Sequence, residues 1–371
     1  MVTGLRRFFP SLSRVKSPEA LLFKPLKLMV TLWSSFPHFT KFMDDKRIAG
    51  IRLNSAMINN PELEKELTAL HDLKPAVPLY FDAKGRQLRV AWVDKENTTH
   101  LDLRLNHPIS VKTPVMVLFK AGADSAMLEK LEEDGRRLVF RGGPAYMVYP
   151  GESIHILDPS LKTSGPLFTD EEKSKLEKVQ RAGFKNYFLS YVEDQRDIDE
   201  FQELIGRDTV VMLKIENRRG LNFVARGFRK SDNLILVAAR GDLFIELEWP
   251  HMIVDALRLI VGKDPEACVG SRILLSVVND IRNRKISEAI KLVRALDLNK
   301  QDPARLVETT LLSLINRDIP SCADFCDLTW LYDIGYRTMM LCDELCLRED
   351  LLDIAIGAFD AFRKDRERIK S

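Results

Sequence analysis

The stretch Asn186–Ile215, NYFLSYVEDQRDIDEFQELIGRDTVVMLKI, decides how this chain folds. Its first part, Asn186 to Tyr191, is a short apolar run with the composition of a strand. An Asp-rich segment from Gln195 to Ile205 reads as a helix, and Thr209 to Ile215 returns to a strand. Strand, crossover helix and strand in so short a span make a βα unit of a parallel sheet.

The same rhythm extends both ways. Downstream, strands are expected at Asn233–Ala238, Glu266–Gly270 and Arg337–Leu341. Helices are expected at Pro250–Val261, Ser276–Ile315 and Asp350–Arg363. Upstream lie strands at Leu28–Trp33, Ile48–Leu53 and Val77–Asp82, with helices at Phe36–Lys46 and Pro61–Leu70. Thr169 with Glu172 three residues later forms a capping box for a helix over Thr169–Arg181. Between Val90 and Ser164 the pattern changes to β alternation, at Leu101–Leu105, Val115–Phe119, Arg137–Phe140 and Ser153–Leu157. Eight strands, most followed by a helix, favour an α/β (β/α)8 TIM-type barrel over an open sheet. The expected organisation is a basic extension over 1–25, a barrel from 26–90 and 165–371, and a small β domain inserted over 91–164.

Composition excludes several classes. With 371 residues, 45% hydrophobic and 30% charged, and a formal net charge of +2, the chain has no concentrated basic balance to suit a nucleic-acid binder. No apolar run approaches the ~18–20 residues that span a bilayer. The first eighteen residues hold Arg6, Arg7, Arg14 and Lys16 without an acid, the composition of an organelle leader or of a basic tail. Five cysteines, Cys268, Cys322, Cys326, Cys342 and Cys346, do not make a secreted disulfide framework and point to a reducing, cytoplasmic compartment. The two Cys-x3-Cys pairs are read as one helix face rather than a zinc knuckle. The six histidines are scattered without His-x3-His spacing, and most are read as surface or capping residues. The chain contains no P-loop motif, and Gly142-Gly143-Pro144 reads as a turn.

Barrel active sites sit at the C-terminal strand ends. There the second strand brings Arg52 and Asn54, the third Asp82 with Arg89 beyond it, the fifth Lys214 and Glu216, the sixth Gly241 and Asp242, and the seventh Ser271. Glu216 and Asp242 are hard oxygen donors on adjacent strands, suited to Mg2+ or Mn2+. Lys214 alternates with Glu216, so both side chains point one way, and its ammonium suits a transferring phosphoryl group or an enolate. Arg52 and Arg89 offer forks for phosphate oxygens, and Gly241 leaves its N–H open to a carboxylate. Taken singly, each of these is equally a solvated rim charge.

As a set, Lys214-Ile-Glu-Asn217 followed by Ala239-Arg-Gly-Asp-Leu243 resembles the pyruvate kinase family. Arg52-Leu-Asn54, the Asp82-x-Lys84-Gly85-x-x-x-Arg89 pattern, the insertion after the third strand, Phe188–Val192, and the Pro320-Ser321, Asp327 and Leu341–Glu344 segments fit the same family. The resemblance implies Lys214 as the group stabilising the transferred phosphoryl and the enolate, with Arg52 contacting the phosphoryl. It implies Glu216 and Asp242 as divalent-metal ligands, Gly241 and Ser271 on the substrate carboxylate, and Arg89 at the phosphate. Asn54, Asp82 and the Ala83 carbonyl would form a K+ site. Ala56 and Met57 stand where the family has Ser and His, and Gln87 where it has Glu, which weakens the K+ and nucleotide sites. The inserted domain is short, and a C-terminal effector domain is absent from the sequence given.

The implied activity is phosphoryl transfer between phosphoenolpyruvate and ADP, giving pyruvate and ATP, with no nucleic-acid or membrane partner and with oligomerisation open. Two alternatives stand beside it: a nucleotide-independent lyase, aldolase or phosphatase acting on a related 2-oxo acid, and a catalytically silent paralogue.

Overall fold

The computed structural model describes residues 24–94, 101–278 and 320–368. All but the last two residues of the basic extension, and nearly all of the helix expected over Ser276–Ile315, lie outside the described residues.

Three strands, β1 (Lys27–Thr31), β2 (Gly50–Asn54) and β3 (Leu79–Ala83), precede an inserted group. That group comprises β4 (Val90–Val93), β5 (Asp102–Leu105), β6 (Ile109–Ser110), β7 (Val115–Phe119), β8 (Asp124–Glu132), β9 (Arg137–Arg141) and β10 (Lys162–Thr163). Then come β11 (Asn186–Leu189), β12 (Val210–Ile215), β13 (Leu234–Ala239), β14 (Cys268–Gly270) and β15 (Thr338–Met340). β1, β2, β3 and β11 to β15 close into a parallel barrel in the order β1-β15-β14-β13-β12-β11-β3-β2. The expected eight-stranded α/β barrel is therefore the fold of the chain.

The barrel lumen follows from strand period two. Met29, Phe188, Met212, Val237, Cys268 and Met340 form one buried cluster, with Tyr80 packed against it. Gly50 completes this layer by being small: a Cβ there would stand 2.7 Å from the Met29 methyl and 2.8 Å from the Tyr80 ring. A second, larger apolar core lies where the helices pack on the outer face of the strands.

The helices are α1 (Phe39–Phe42), α2 (Asn60–Leu73), α3 (Asp170–Arg181), α4 (Gln195–Ile205), α5 (Arg218–Arg226), α6 (Arg240–Glu246), α7 (Ile253–Lys263), α8 (Cys322–Ile334), α9 (Asp343–Cys346) and α10 (Glu349–Arg368). The Thr169/Glu172 capping box is present at the start of α3. The same device opens α2 with Asn59/Glu62 and α8 with Ser321/Asp324. The helix expected over Phe36–Lys46 shrinks to α1, because Asp45 ends it by accepting the Arg47 N–H at 2.9 Å, a local bond that competes with the helix. No helix of the described residues is long and apolar enough to cross a membrane.

The insertion is a five-stranded antiparallel sheet, β4-β5-β9-β8-β7, beside the β6/β10 pair. It has its own apolar core of Val90, Leu103, Val117, Leu128 and Leu138 among others. Ser153–Leu157, expected as a strand, contributes only isolated bridges, Arg89 with Ser153 and Leu118 with His155.

Candidate active site

Two residues beyond the apolar lumen layer, the same inward-facing positions turn polar. Thr31, Arg52, Asp82, Ser190 and Lys214 follow Met29, Gly50, Tyr80, Phe188 and Met212 at period two, and all five are buried. Their groups meet at the carboxyl ends of the strands, the functional end of such a barrel.

Asp82 is the hub. Its Oδ2 accepts from Arg52 Nε at 2.7 Å and from Lys84 Nζ at 3.0 Å, and Lys214 Nζ stands 3.6 Å away. Ser190 Oγ donates to Oδ1 at 3.2 Å. Burial alone would raise this carboxyl, but Lys214, Lys84 and Arg52 together hold it well below the usual carboxylate range. Arg52 also donates to Asp343 Oδ1 at 2.6 Å and to Thr31 Oγ1 at 3.2 Å, so its fork is occupied by carboxylates.

Lys214 donates to Ser190 Oγ at 2.9 Å and lies 3.0 Å from Glu216 Oε1. Burial disfavours its charge, but Asp82 and Glu216 outweigh burial and hold the ammonium above its ordinary value. The opposite balance acts on Glu216, whose carboxyl is held up at about 7, chiefly by burial. Glu216 Oε2 accepts the Tyr191 N–H at 2.7 Å, for which Tyr191 adopts a φ of 54°. Glu216 Oε1 is buried without a hydrogen bond: the nearby ammonium is close enough for an ion pair but is aimed at Ser190.

Asp242 lies in the first turn of α6, and its charge raises Glu216 across the gap between β12 and β13. His155, carried by the inserted domain and 1% exposed, reaches this point. Its Nδ1 lies 2.8 Å from Glu246 Oε1 and its Nε2 3.6 Å from Asp242 Oδ1.

Several expectations need correction. The Gly241 N–H is not open, because it donates to Ser271 Oγ at 2.7 Å. Ser271 itself sits at φ 60°. Arg89 is not a free fork: it donates to Gln87 Oε1 at 2.6 and 3.0 Å and to the Gly151 carbonyl. His38, His107 and His155 are buried rather than at the surface. The proposed K+ ligands are all engaged. Asn54 Oδ1 accepts from the Ala56 N–H at 3.1 Å, Asn54 Nδ2 donates to Asp343 at 2.7 Å, and the Ala83 carbonyl accepts from the Ser190 N–H at 2.9 Å.

Lys84, Ser190, His155, Glu246 and Asp343 join the cluster without having been singled out from the sequence. Alternation from Asp82 gives Lys84, but the other four converge only through the fold. Lys84 is driven down to about 7, mainly by burial and against the pull of Asp82. It also lines a cleft of about 650 Å³ between barrel and inserted sheet, together with Met57, Asn59, Arg89, Arg136 and Lys175. No group of three or more His, Cys, Asp or Glu among the described residues forms a ready-made metal cage.

The site is thus a Lys–carboxylate cluster at the strand ends of a closed α/β barrel, beside an inserted β sheet. Sequence comparison narrows this. The chain is 23% identical over 269 residues to a pyruvate kinase of Thermoplasma acidophilum, covering 67% of this chain and 47% of that protein. It is 23% identical over 278 residues to a pyruvate kinase of Methanocaldococcus jannaschii, covering 70% and 59%. Over 105 residues, 28% of this chain, it is 27% identical to pyruvate kinase 1 of Saccharomyces cerevisiae. No family model matches the chain. The chain is thus distantly similar to pyruvate kinases, and it spans about half the length of the curated relatives it matches.

Proposed function

We propose that the protein is a divalent-metal-dependent phosphotransferase that moves a phosphoryl group between phosphoenolpyruvate and ADP, giving pyruvate and ATP. The observation that carries this reading is the Lys214 ammonium, kept charged by Asp82 and Glu216 beside a buried carboxylate oxygen that has no hydrogen bond. An ammonium fixed in a dry site stabilises negative charge as it develops on an enolate or phosphoryl oxygen, with no reorganisation needed at that moment.

Glu216 and Asp242 would hold the divalent ion, Mg2+ or Mn2+; Glu216 Oε1, buried and met only by the Lys214 ammonium at 3.0 Å, is a hard oxygen donor suited to such a cation. When bound, the ion supplies positive charge to phosphoryl and enolate oxygens. Arg52, Lys84 and Arg89 add positive potential on the phosphate side. The Ser271 hydroxyl and Gly241 N–H would take the substrate carboxylate by exchanging the bond they make with each other. The nucleotide would lie in the cleft lined by Arg136 and Lys175.

A second reading, a nucleotide-independent enzyme acting on a phosphorylated 2-oxo acid, is favoured by the apolar Ala56 and Met57 in that cleft. Pyruvate release from phosphoenolpyruvate, measured with Mg2+ in the presence and absence of ADP, separates the two. ADP-dependent release supports the phosphotransferase. Release without ADP selects the second reading, and no release in either condition contradicts both.

A further inference from the structure

The Cys322 and Cys326 thiols take no part in the reading above. They stand one turn apart on α8, both exposed, with their sulfurs 3.9 Å from each other. Cys268, Cys342 and Cys346 are buried, so among the cysteines this pair is the one open to a solute.

The pair sits on a turn that bears on the strand ends. α8 opens at Cys322, directly after its N-cap Ser321, which forms a capping box with Asp324. From that turn two links lead to the Gly241–Ser271 seat. Asp327, next to Cys326, accepts from Arg240 Nη1 at 2.9 and 3.0 Å, and Arg240 Nε donates to the Ser271 carbonyl at 3.1 Å. Ser276 Oγ donates to Asp324 Oδ2 and accepts the Ser321 N–H at 3.0 Å, which ties the first turn of α8 to the loop carrying Ser271. That loop holds Ser271, Arg272 and Leu274 at φ of 60°, 56° and 52°. Non-glycine residues keep such a backbone only while their surroundings fix it, so the loop responds to its anchors.

Side chains four apart on a helix hold their Cβ atoms about 5–6 Å apart, whereas a disulfide needs about 3.5–4.5 Å. Joining the two sulfurs therefore tightens the first turn of α8 by about 1–2 Å. An exposed disulfide under that constraint is readily reduced again, the property of a regulatory bond rather than a structural one.

We propose that Cys322 and Cys326 form a reversible disulfide by exchange with small disulfides of the glutathione class, and that closing it displaces the Gly241–Ser271 seat through Asp327 and Ser276. One cysteine, as thiolate, attacks a sulfur of the small disulfide; a mixed disulfide forms and one small thiolate leaves. The second cysteine, as thiolate, attacks the protein-bound sulfur and expels the other small thiolate. Two protein thiols are oxidised, one small disulfide is reduced to two thiols, and the two protons pass to the departing thiolates. The thiol chemistry stands apart from the phosphotransferase reading, on which only the effect on substrate rests.

The test incubates the full chain with oxidised glutathione and maps its disulfides by mass spectrometry of unreduced peptides. Hydrogen exchange and steady-state kinetics are read on the same samples before and after dithiothreitol. The expected product is a Cys322–Cys326 bond that dithiothreitol reverses and that Cys322→Ser and Cys326→Ser cannot form. Oxidation should change exchange over 271–276 and in the first turn of α8, with β7 to β9 unchanged. It should raise the KM for phosphoenolpyruvate about 5-fold or more with kcat nearly constant, and both serine variants should escape this rise.

Glutathione adducts that persist on Cys322 or Cys326 without the internal bond overturn the site. The internal bond with unchanged exchange over 271–276 overturns the link to the seat. If no sample releases pyruvate, the phosphotransferase reading fails, while the disulfide map and the exchange still decide the proposal.

Discussion

Lys214 has two carboxylates and a hydroxyl within reach, and that surplus of acceptors keeps its charge in a buried site. Replacing it with Met removes the charge without leaving a cavity. The expected loss in kcat is about 10²- to 10³-fold with KM little changed, the signature of an interaction made mainly in the transition state. Steady-state kinetics of Lys214→Met check this, and an unaltered kcat contradicts it. Glu216 gives a pH prediction. Its carboxyl is held up at about 7, chiefly by burial, so below that pH a proton occupies the group proposed to hold the divalent ion. Divalent affinity should therefore fall about tenfold for each pH unit below that value and level off above it. Calorimetric titration across this range reads it, and a flat profile would argue against Glu216 as a ligand. At this scale the sequence was informative where ligands share a strand, as Lys214 and Glu216 do through period two. It was silent on His155, whose partners lie 87 to 91 positions away in Asp242 and Glu246.

The barrel strands and the capping box of α3 carry local signals that could be read, because the physics that forms them is local. The Thr169 hydroxyl accepts the Glu172 N–H and the Glu172 carboxylate accepts the Thr169 N–H, both within one turn. Thr169→Ala should cost about 1 kcal/mol in denaturant unfolding. The turn after β3 is more demanding. Gly85 sits at φ +52°, and a Cβ there would lie 2.7 Å from the Ser190 carbonyl. Gly85→Ala should cost about 1–3 kcal/mol and should also disturb Asp82, because Ser190 bonds that carboxylate. Stability equal to wild type would show that the turn is not constrained. Four helices went unread in the sequence, α5, α6, α8 and α9. Gly220 interrupts the first, and Arg240–Glu246 is too short to establish a helical period; Asn217 capping the Gly220 N–H supplies what the pattern lacks.

As a whole, the molecule has a barrel with a lumen cluster and an outer apolar core, and an inserted sheet with a core of its own. Leu128 is fully buried in the inserted core. Leu128→Ala should cost about 2–5 kcal/mol locally, seen as faster hydrogen exchange in β7, β8 and β9 with β11 to β13 unchanged. Uniform acceleration in both parts would mean that they open together. The barrel was legible because eight strands repeat one pattern; the reach of the inserted domain into the strand-end cluster was not, since no local signal encodes an approach between distant segments. In the proposed reaction the strand-end cluster transfers phosphate with Lys214 at its centre. The most direct measurement follows 31P resonances of phosphoenolpyruvate and ADP with Mg2+ on the wild type and on Lys214→Met. The expected result is growth of ATP signals with the wild type and none above background with the variant. Equal ATP formation by both, or none by the wild type, would contradict it.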